Sequence, residues 1–307
     1  MVAKQVLLIF VYVSIGILCV KKKILTVESG TSLSNFALTV ISPCLIIGSY
    51  LRPLNRESLS GLLLAFVLAV VYHAVATAAA LLLIPKRADI RYRIERMGAI
   101  YSNCGYMAIP LITATVGDIG VFYAVPFISV FTVLLWSAGV MITTGEKKIE
   151  PKKMFLNPGF ISFVIGLLLY LTQLRLPDMA VQVLNNIMAL NTPITMITVG
   201  VFLSKISLRS TFTNGRIYYT CALRLLVFPL MMIVLIKVLG ITALNAKAPD
   251  VVMAVVLACA CSAPASTAQF PARFGLESEY GAQIIAVSVL FSVLTLPLLN
   301  LITNYWL

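Results

Sequence analysis

Of the chain's 307 residues, 60% are hydrophobic and 11% charged, against about 45–50% and 25% in an ordinary soluble domain. A membrane-crossing helix takes roughly 20 apolar residues, so ten of them would use about 200 and leave only short loops, which excludes a sizeable soluble domain. The net charge of +12, from 23 Lys and Arg against 11 Asp and Glu, can signal a nucleic-acid partner, but here the basic residues sit in short clusters between apolar runs, so membrane topology explains them and no nucleic acid is expected.

The first apolar run, residues 1–20, stops at Lys21-Lys22-Lys23 without a small-x-small cleavage site. Further runs follow it, so it reads as a retained helix and not a signal peptide. The next spans are predicted over residues 33–51, 60–84, 97–116 and 120–143. After a charged stretch from Glu146 to Lys153 come 158–174, 180–203, 217–239, 251–270 and 283–302. Each is near the length needed to cross a bilayer. The expectation is an all-α polytopic membrane protein with ten transmembrane helices, its lipid-facing surface in contact with the bilayer. The six cysteines (Cys19, Cys44, Cys104, Cys221, Cys259 and Cys261) lie within apolar segments and read as small packing residues, not a disulfide framework.

Alternate loops differ in charge. One set holds Lys21–Lys23, then Lys86, Arg87, Arg91, Arg93 and Arg96, then Lys147, Lys148, Lys152 and Lys153, then Lys205, Arg209 and Arg216, and finally Arg273. The other holds Lys4, Arg52, Arg56, Arg175, Lys237 and Lys247. The basic excess marks the cytoplasmic side, so both termini are expected outside a plasma-membrane protein.

The stretch at 146–157 divides the chain into five spans plus five, over residues 1–145 and 158–307. The second span of each part carries proline then glycine, Pro43 with Gly48 and Pro193 with Gly200; the fourth is broken at Pro110 in one and at Pro264 and Pro271 in the other. Five is odd, so the second part enters from the opposite side and forms an inverted repeat. Paired interrupted helices at matching positions point to a transporter site near the midplane.

The fourth span reads Tyr101-Ser102-Asn103-Cys104-Gly105-Tyr106-Met107-Ala108-Ile109-Pro110, and the ninth Cys261-Ser262-Ala263-Pro264-Ala265-Ser266-Thr267-Ala268-Gln269-Phe270-Pro271. Both carry small and polar residues where lipid-facing helices carry Leu and Ile. Proline frees an upstream carbonyl from the helix ladder, and nonhelical backbone survives in a membrane only inside protein or beside a cavity. Half-helix N-termini there present amides to an anion. The candidate substrate-binding residues are Asn103, Cys104, Gly105 and Pro110 with Ser262, Pro264, Ser266, Thr267 and Gln269. The alternative is that these polar groups only hold helices together.

These segments resemble the auxin efflux carrier family. Ser102 through Leu111, followed by Gly117, Gly120 and Tyr123, is similar to its fourth-helix signature. Trp136 and Gly139 resemble the fifth helix, Pro193 through Gly200 the seventh, and Leu223-Arg224-Leu225 with Pro229 the eighth. Ala263-Pro264-Ala265 through Phe274-Gly275, ending in Leu294-Thr295-Leu296-Pro297, resembles the ninth and tenth. The resemblance implies an inverted-repeat fold, within the bile acid, arsenite and auxin transporter superfamily, in which helices 4 and 9 cross at prolines between a scaffold and a transport domain. It implies transport of organic anions, including auxin in plants and dicarboxylates such as malonate in bacteria. The short charged stretch at 146–153 is more like the compact bacterial branch than plant members with a long loop.

The carboxylates (Glu28, Glu57, Asp89, Glu95, Asp118, Glu146, Glu150, Asp178, Asp250, Glu277 and Glu279) all fall in loops or at span ends. Proton and sodium antiporters bury an acid on the ion path, so an anion driven by its own gradient and the membrane potential is the simpler expectation. His73, the sole histidine, reads either as a proton relay or as a polar group facing other helices. Arg224, about 10 Å into the eighth span at 1.5 Å per residue, reads as a substrate counter-ion or as a structural residue that snorkels or bonds exposed carbonyls. There is no HExxH or GxSxG, so no enzyme, cofactor or metal site is expected. The expected function is secondary transport of a small organic anion such as a carboxylate, by alternating access, with a homodimer as one candidate assembly. The alternatives are a sodium-coupled bile-acid-type symporter and a receptor that binds the ligand without moving it.

Overall fold

In hydrocarbon every peptide group must find its partner within its own segment, which leaves long apolar runs little choice but helix. The computed structural model describes residues 2–146, 155–204 and 214–306, and among these it is helical with no strand. Lys147, Lys148, Lys152, Lys153, Lys205 and Arg209, on which the charge count drew, lie outside the described residues.

The first part of the chain forms α1 (Val2–Lys21), α2 (Val27–Phe36), α3 (Ser42–Tyr50), α4 (Arg56–Leu83), α5 (Arg91–Ile100), α6 (Ile109–Val116), α7 (Asp118–Leu134) and α8 (Val140–Thr144). The second forms α9 (Pro158–Thr172), α10 (Asp178–Ala189), α11 (Asn191–Leu203), α12 (Gly215–Ala222), α13 (Phe228–Val238), α14 (Ala248–Ala260), α15 (Ser266–Arg273) and α16 (Ser278–Trp306). Side chains set several starts. Thr26 accepts from the Ser29 amide in a capping box, and the Asn55, Asn157 and Asn214 side chains accept from the first turns of α4, α9 and α12, filling donors that a helix start leaves open.

Three prolines widen helices instead of breaking them. Wide π-helical turns at Ala37–Ile41, Cys104–Ala108 and Leu223–Val227 each end two residues before a proline, at Pro43, Pro110 and Pro229. A proline offers no N–H to the carbonyl four residues back and its ring crowds that carbonyl. Those carbonyls belong to Thr39, Tyr106 and Leu225, inside the widened turn each time, where bonding shifts by one residue and the helix runs on. The expectation that Pro43 and Pro110 mark interruptions is therefore corrected. Pro271 likewise lies inside α15.

The interruptions lie elsewhere. In the fourth segment, Tyr101 to Asn103 leave the helix, seven or more residues ahead of Pro110, with Tyr101 extended. In the ninth, Cys261 to Ala265 leave it around Pro264, as expected, with Cys261 extended.

Among the described residues six helical stretches are long and apolar enough to cross a membrane: Glu28–Tyr50, Arg56–Leu83, Asp118–Thr144, Asp178–Leu203, Gly215–Val238 and Ser278–Trp306. The sequence suggested ten. The difference has physical causes: α9 and α14 are shorter apolar helices, α1 counts as one from Leu7, and the fourth and ninth stretches are each split in two.

Packing groups the helices across the chain's midpoint. α1, α2, α3, α9, α10 and α11 pack mainly on one another, and α4 to α8 with α12 to α16 form a second bundle. At its centre, α14 is buried at every position from Val251 to Ala260, which accounts for a helix apolar all round. On the outside, Leu63, Val67 and Leu82 of α4 and Leu294 and Leu301 of α16 are each more than half exposed. In water each would forgo about 1.5–3 kcal/mol of burial; against lipid they forgo nothing.

α1 and α11 meet through glycine. A Cβ at Gly16 would strike the Ile197 carbonyl and one at Gly200 the Val13 carbonyl, while a Cβ at Gly105 would meet nothing within 4 Å. Gly200→Leu is expected to cost about 1–3 kcal/mol through overpacking, read as a lower unfolding temperature and folded yield in detergent, whereas Gly105→Ala leaves both close to the starting protein. Equal stability of the two variants would show that the α1–α11 contact is not tight.

Candidate functional site

Breaking two helices in mid-protein leaves backbone groups that must be partnered. The breaks partner each other: the Asn103 amide donates to the Ser262 carbonyl at 2.8 Å. The Ala263 amide donates to Ser288 Oγ at 3.0 Å, and that hydroxyl donates on to the Ile285 carbonyl at 2.8 Å.

The carbonyls at the ends of α5 and α14 are met by Arg224. Its Nη1 donates to Ala99 and Ile100 at 3.0 and 2.9 Å, and its Nε donates to Cys261 at 3.1 Å. The guanidinium is fully buried and lies 5.8 Å from the Tyr72 ring centre. Two helix C-termini, each carrying partial negative charge, converge on this one cation. Of the roles the sequence left open, bonding to exposed carbonyls is the one observed; snorkelling to an interface is not.

The helices that restart after the breaks border open space. One cavity of about 580 Å³ is walled by Ser34, Asn103, Tyr106, Thr195, Thr198 and Gln269, and reaches Leu203 and Ser278 on the side of the basic loops. A second, of about 280 Å³, adds Gly105, Pro264 and Ser266 to the shared Ser34, Asn103, Tyr106 and Gln269. Among the described residues no Lys, Arg or His lines either cavity, and Glu279 borders the larger. Met107 is the first residue of its turn whose amide reaches back, to the Asn103 carbonyl at 3.0 Å. The amides just before it are those a helix start leaves open, and the unobstructed Gly105 makes that backbone approachable. The start of α15 is less available, since the Thr267 and Ala268 amides close turns onto Pro264 and Ala265.

The structure therefore gathers Asn103, Gly105, Pro264, Ser266 and Gln269 at these cavities, with Ser266 Oγ buried and unpartnered. Cys104, Ser262 and Thr267 stand behind them, fully buried and bordering neither cavity. The Ser262 hydroxyl donates to Met107 Sδ at 3.5 Å, and the Thr267 methyl lies 3.2 Å from where a Gly98 Cβ would stand. Pro110 lines another cavity, shared with Arg52 and Asn191. Sequence reasoning missed Ser34, Tyr106, Thr195 and Thr198. The last two, three apart on α11, share a helix face, which was the available signal.

Glu95 corrects the reading of the acids. It is at a span end but 1% exposed, bonded to Arg87 at 2.5 Å, to Arg216 at 2.7 Å and by the Tyr280 hydroxyl at 2.9 Å. A buried carboxylate needs such partners, and these tie α5 to α12 and α16. His73 is buried among Tyr72, Tyr101, Phe127 and Phe131, with Nδ1 2.8 Å from the Ala69 carbonyl. It borders neither cavity, as a packing residue would. The six cysteines are free thiols.

A family model described as membrane transport protein matches residues 1–300. No curated protein matches the chain.

Arg224→Leu strands three buried carbonyls, each costing about 1–3 kcal/mol; Arg224→Lys keeps the charge but lacks the planar fork that spans two helices. Folded yield and unfolding temperature are expected to fall in the order Arg, Lys, Leu. An Arg224→Leu protein as stable as the starting one would remove the residue from this role.

Proposed function

The chain belongs to the auxin efflux carrier family of membrane transport proteins, and from that premise we propose that it is a secondary transporter, not an enzyme, carrying a small organic anion such as a carboxylate across the plasma membrane. The proposed route passes the paired helix breaks. The observation that carries this reading is a pair of cavities with no basic side chain among the described residues, bordered by a helix start at Gly105 and Tyr106, with Tyr106 in the wall of both. Oriented amides and the positive end of a helix favour negative charge. Asn103 and Gln269 add carboxamide donors, and Thr195 and Thr198 offer hydroxyls.

In this reading the chain crosses the bilayer ten times as two inverted five-helix repeats, over 1–145 and 158–307, with the broken fourth and ninth spans crossing at the midplane and both termini outside. Access alternates as the α1–α3 and α9–α11 bundle shifts against the other. A homodimer is compatible with this plan. Glu95 is already bonded to two arginines and borders neither cavity, so it supplies no ion-coupling acid, and the anion moves down its own electrochemical gradient.

Purified protein in liposomes tests the reading. Flux of a carboxylate without sodium is expected. Strictly sodium-dependent flux favours the bile-acid-type symporter, and saturable binding without flux favours a receptor. Asn103→Ala should weaken binding by about 0.5–3 kcal/mol, the range for one lost hydrogen bond to a neutral or charged partner, with little change in yield; unchanged affinity and flux would make Asn103 merely structural.

The orientation has its own check. Single cysteines at Lys22 and at Arg52, each in a cysteine-free background in intact cells, should respectively resist and accept an impermeant thiol reagent added outside. The reverse pattern would invert the proposed topology.

A further inference from the structure

The cavity that contains Pro110 encloses about 590 Å³ between α3, the start of α7 and the α10–α11 junction, and the central reading gives it no role. Its wall carries a cation. Arg52 follows α3, with Nε donating to the Ser49 carbonyl at 2.9 Å and Nη2 to the Asp118 carbonyl at 3.0 Å, its guanidinium 4.7 Å from the centre of the Phe122 ring. These two bonds engage two of the five N–H donors an arginine owns and fix the group at the wall.

A second feature is independent of the first. Asn191, the first residue of α11, lines the same cavity and is 2% exposed, yet neither Oδ1 nor Nδ2 has a partner. A buried carboxamide with four open positions is costly and is the sort of exception that a ligand resolves. The remaining wall is mixed, with Leu45, Ile109, Val121 and Met188 apolar and Thr113 and Asp118 polar.

We propose that this cavity is a second ligand site, taking a small monocarboxylate. The carboxylate pairs with Arg52, Asn191 Nδ2 supplies a further donor, and Asn191 Oδ1 accepts from a hydroxyl on the ligand. One fixed cation suits one carboxylate; a second would meet the charge of Asp118. The apolar wall takes a short hydrocarbon chain. This ligand class comes from Arg52, Asp118 and Asn191, so the proposal stands apart from the central-site reading and fails separately from it.

The test uses the full chain, purified, with its six cysteines replaced and a reporter introduced as Asn185→Cys at the exposed rim of this cavity. The rate of modification by N-ethylmaleimide is measured with 3-hydroxybutyrate and with the uncharged 3-hydroxybutyramide. The acid should slow labelling at least threefold and the amide should not. Adding Arg52→Gln should abolish protection, and Asn191→Leu should raise the half-protecting concentration at least fivefold. If Arg52→Gln does not fold, Asn191→Leu and the acid–amide comparison decide alone. No protection by the acid, equal protection by the amide, or full protection in a folded Arg52→Gln protein would overturn the proposal.

Discussion

Three carbonyls on one guanidinium hold the centre of this molecule together. A helix that stops in mid-protein leaves its last carbonyls without intrahelical partners, and each unpartnered polar group in a water-free interior costs several kcal/mol. Here two helices, α5 and α14, stop beside the same side chain. Arg224 collects Ala99, Ile100 and Cys261 from both, and the Asn103–Ser262 bond joins the chains that lead away. A planar fork suits this work as a lysine ammonium does not, and its fixed charge complements the negative ends of both helix dipoles. Without that arrangement the two breaks would be a liability, and the cavities beside them would have no wall.

The same geometry divides polarity between the paired breaks. Carbonyl ends turn to a cation belonging to the protein. Amide ends, above all the start at Gly105 and Tyr106, border open space. Among the described residues, a wall of amides, carboxamides and hydroxyls offers donors without a fixed positive charge. For the proposed carrier this matters, because a site must bind strongly enough to load and weakly enough to release. A lysine in the cavity would deepen the first at the expense of the second.

Much of the helical plan was legible in the sequence, because apolar runs bounded by basic clusters allow little else, and the break at Cys261–Ala265 was legible from Pro264 among small polar residues. Other features were not, for identifiable reasons. Proline withdraws an amide in either case, so Pro110 alone could not say whether the helix would break or widen; the π-helical turn at Cys104–Ala108 absorbs it, and the true break falls earlier, at Tyr101–Asn103. Glu95 sits at a span end in the sequence, yet partners from α12 and α16, Arg216 and Tyr280, close over it. Such long-range burial leaves no local trace. Arg224 showed its depth but not its partners, since those are backbone atoms whose exposure depends on breaks elsewhere. Ser34, Thr195 and Thr198 lie on the spans marked by Pro43 with Gly48 and by Pro193 with Gly200, a signal that pointed to the prolines and glycines and not to the hydroxyls beside them.

That last group bears on how such a site could work. The cavity wall is drawn from two bundles: Ser34, Thr195 and Thr198 from α2 and α11, and Asn103 from the break, Tyr106 from the π-helical turn ahead of α6 and Gln269 from α15. Within the second bundle the paired breaks are tightly bonded, through Arg224, Ser288 and the Asn103–Ser262 pair. Between the bundles, at the cavity, the Tyr106 hydroxyl reaches the Ser34 carbonyl at only 3.4 Å, a long and weak bond. A bundle that carries its own broken helices as a braced unit, against a neighbour held loosely at the site, can shift without exposing the carbonyls that Arg224 satisfies. For the proposed carrier, the bracing of the breaks and the looser contact at the wall are then two consequences of where the hydrogen bonds lie.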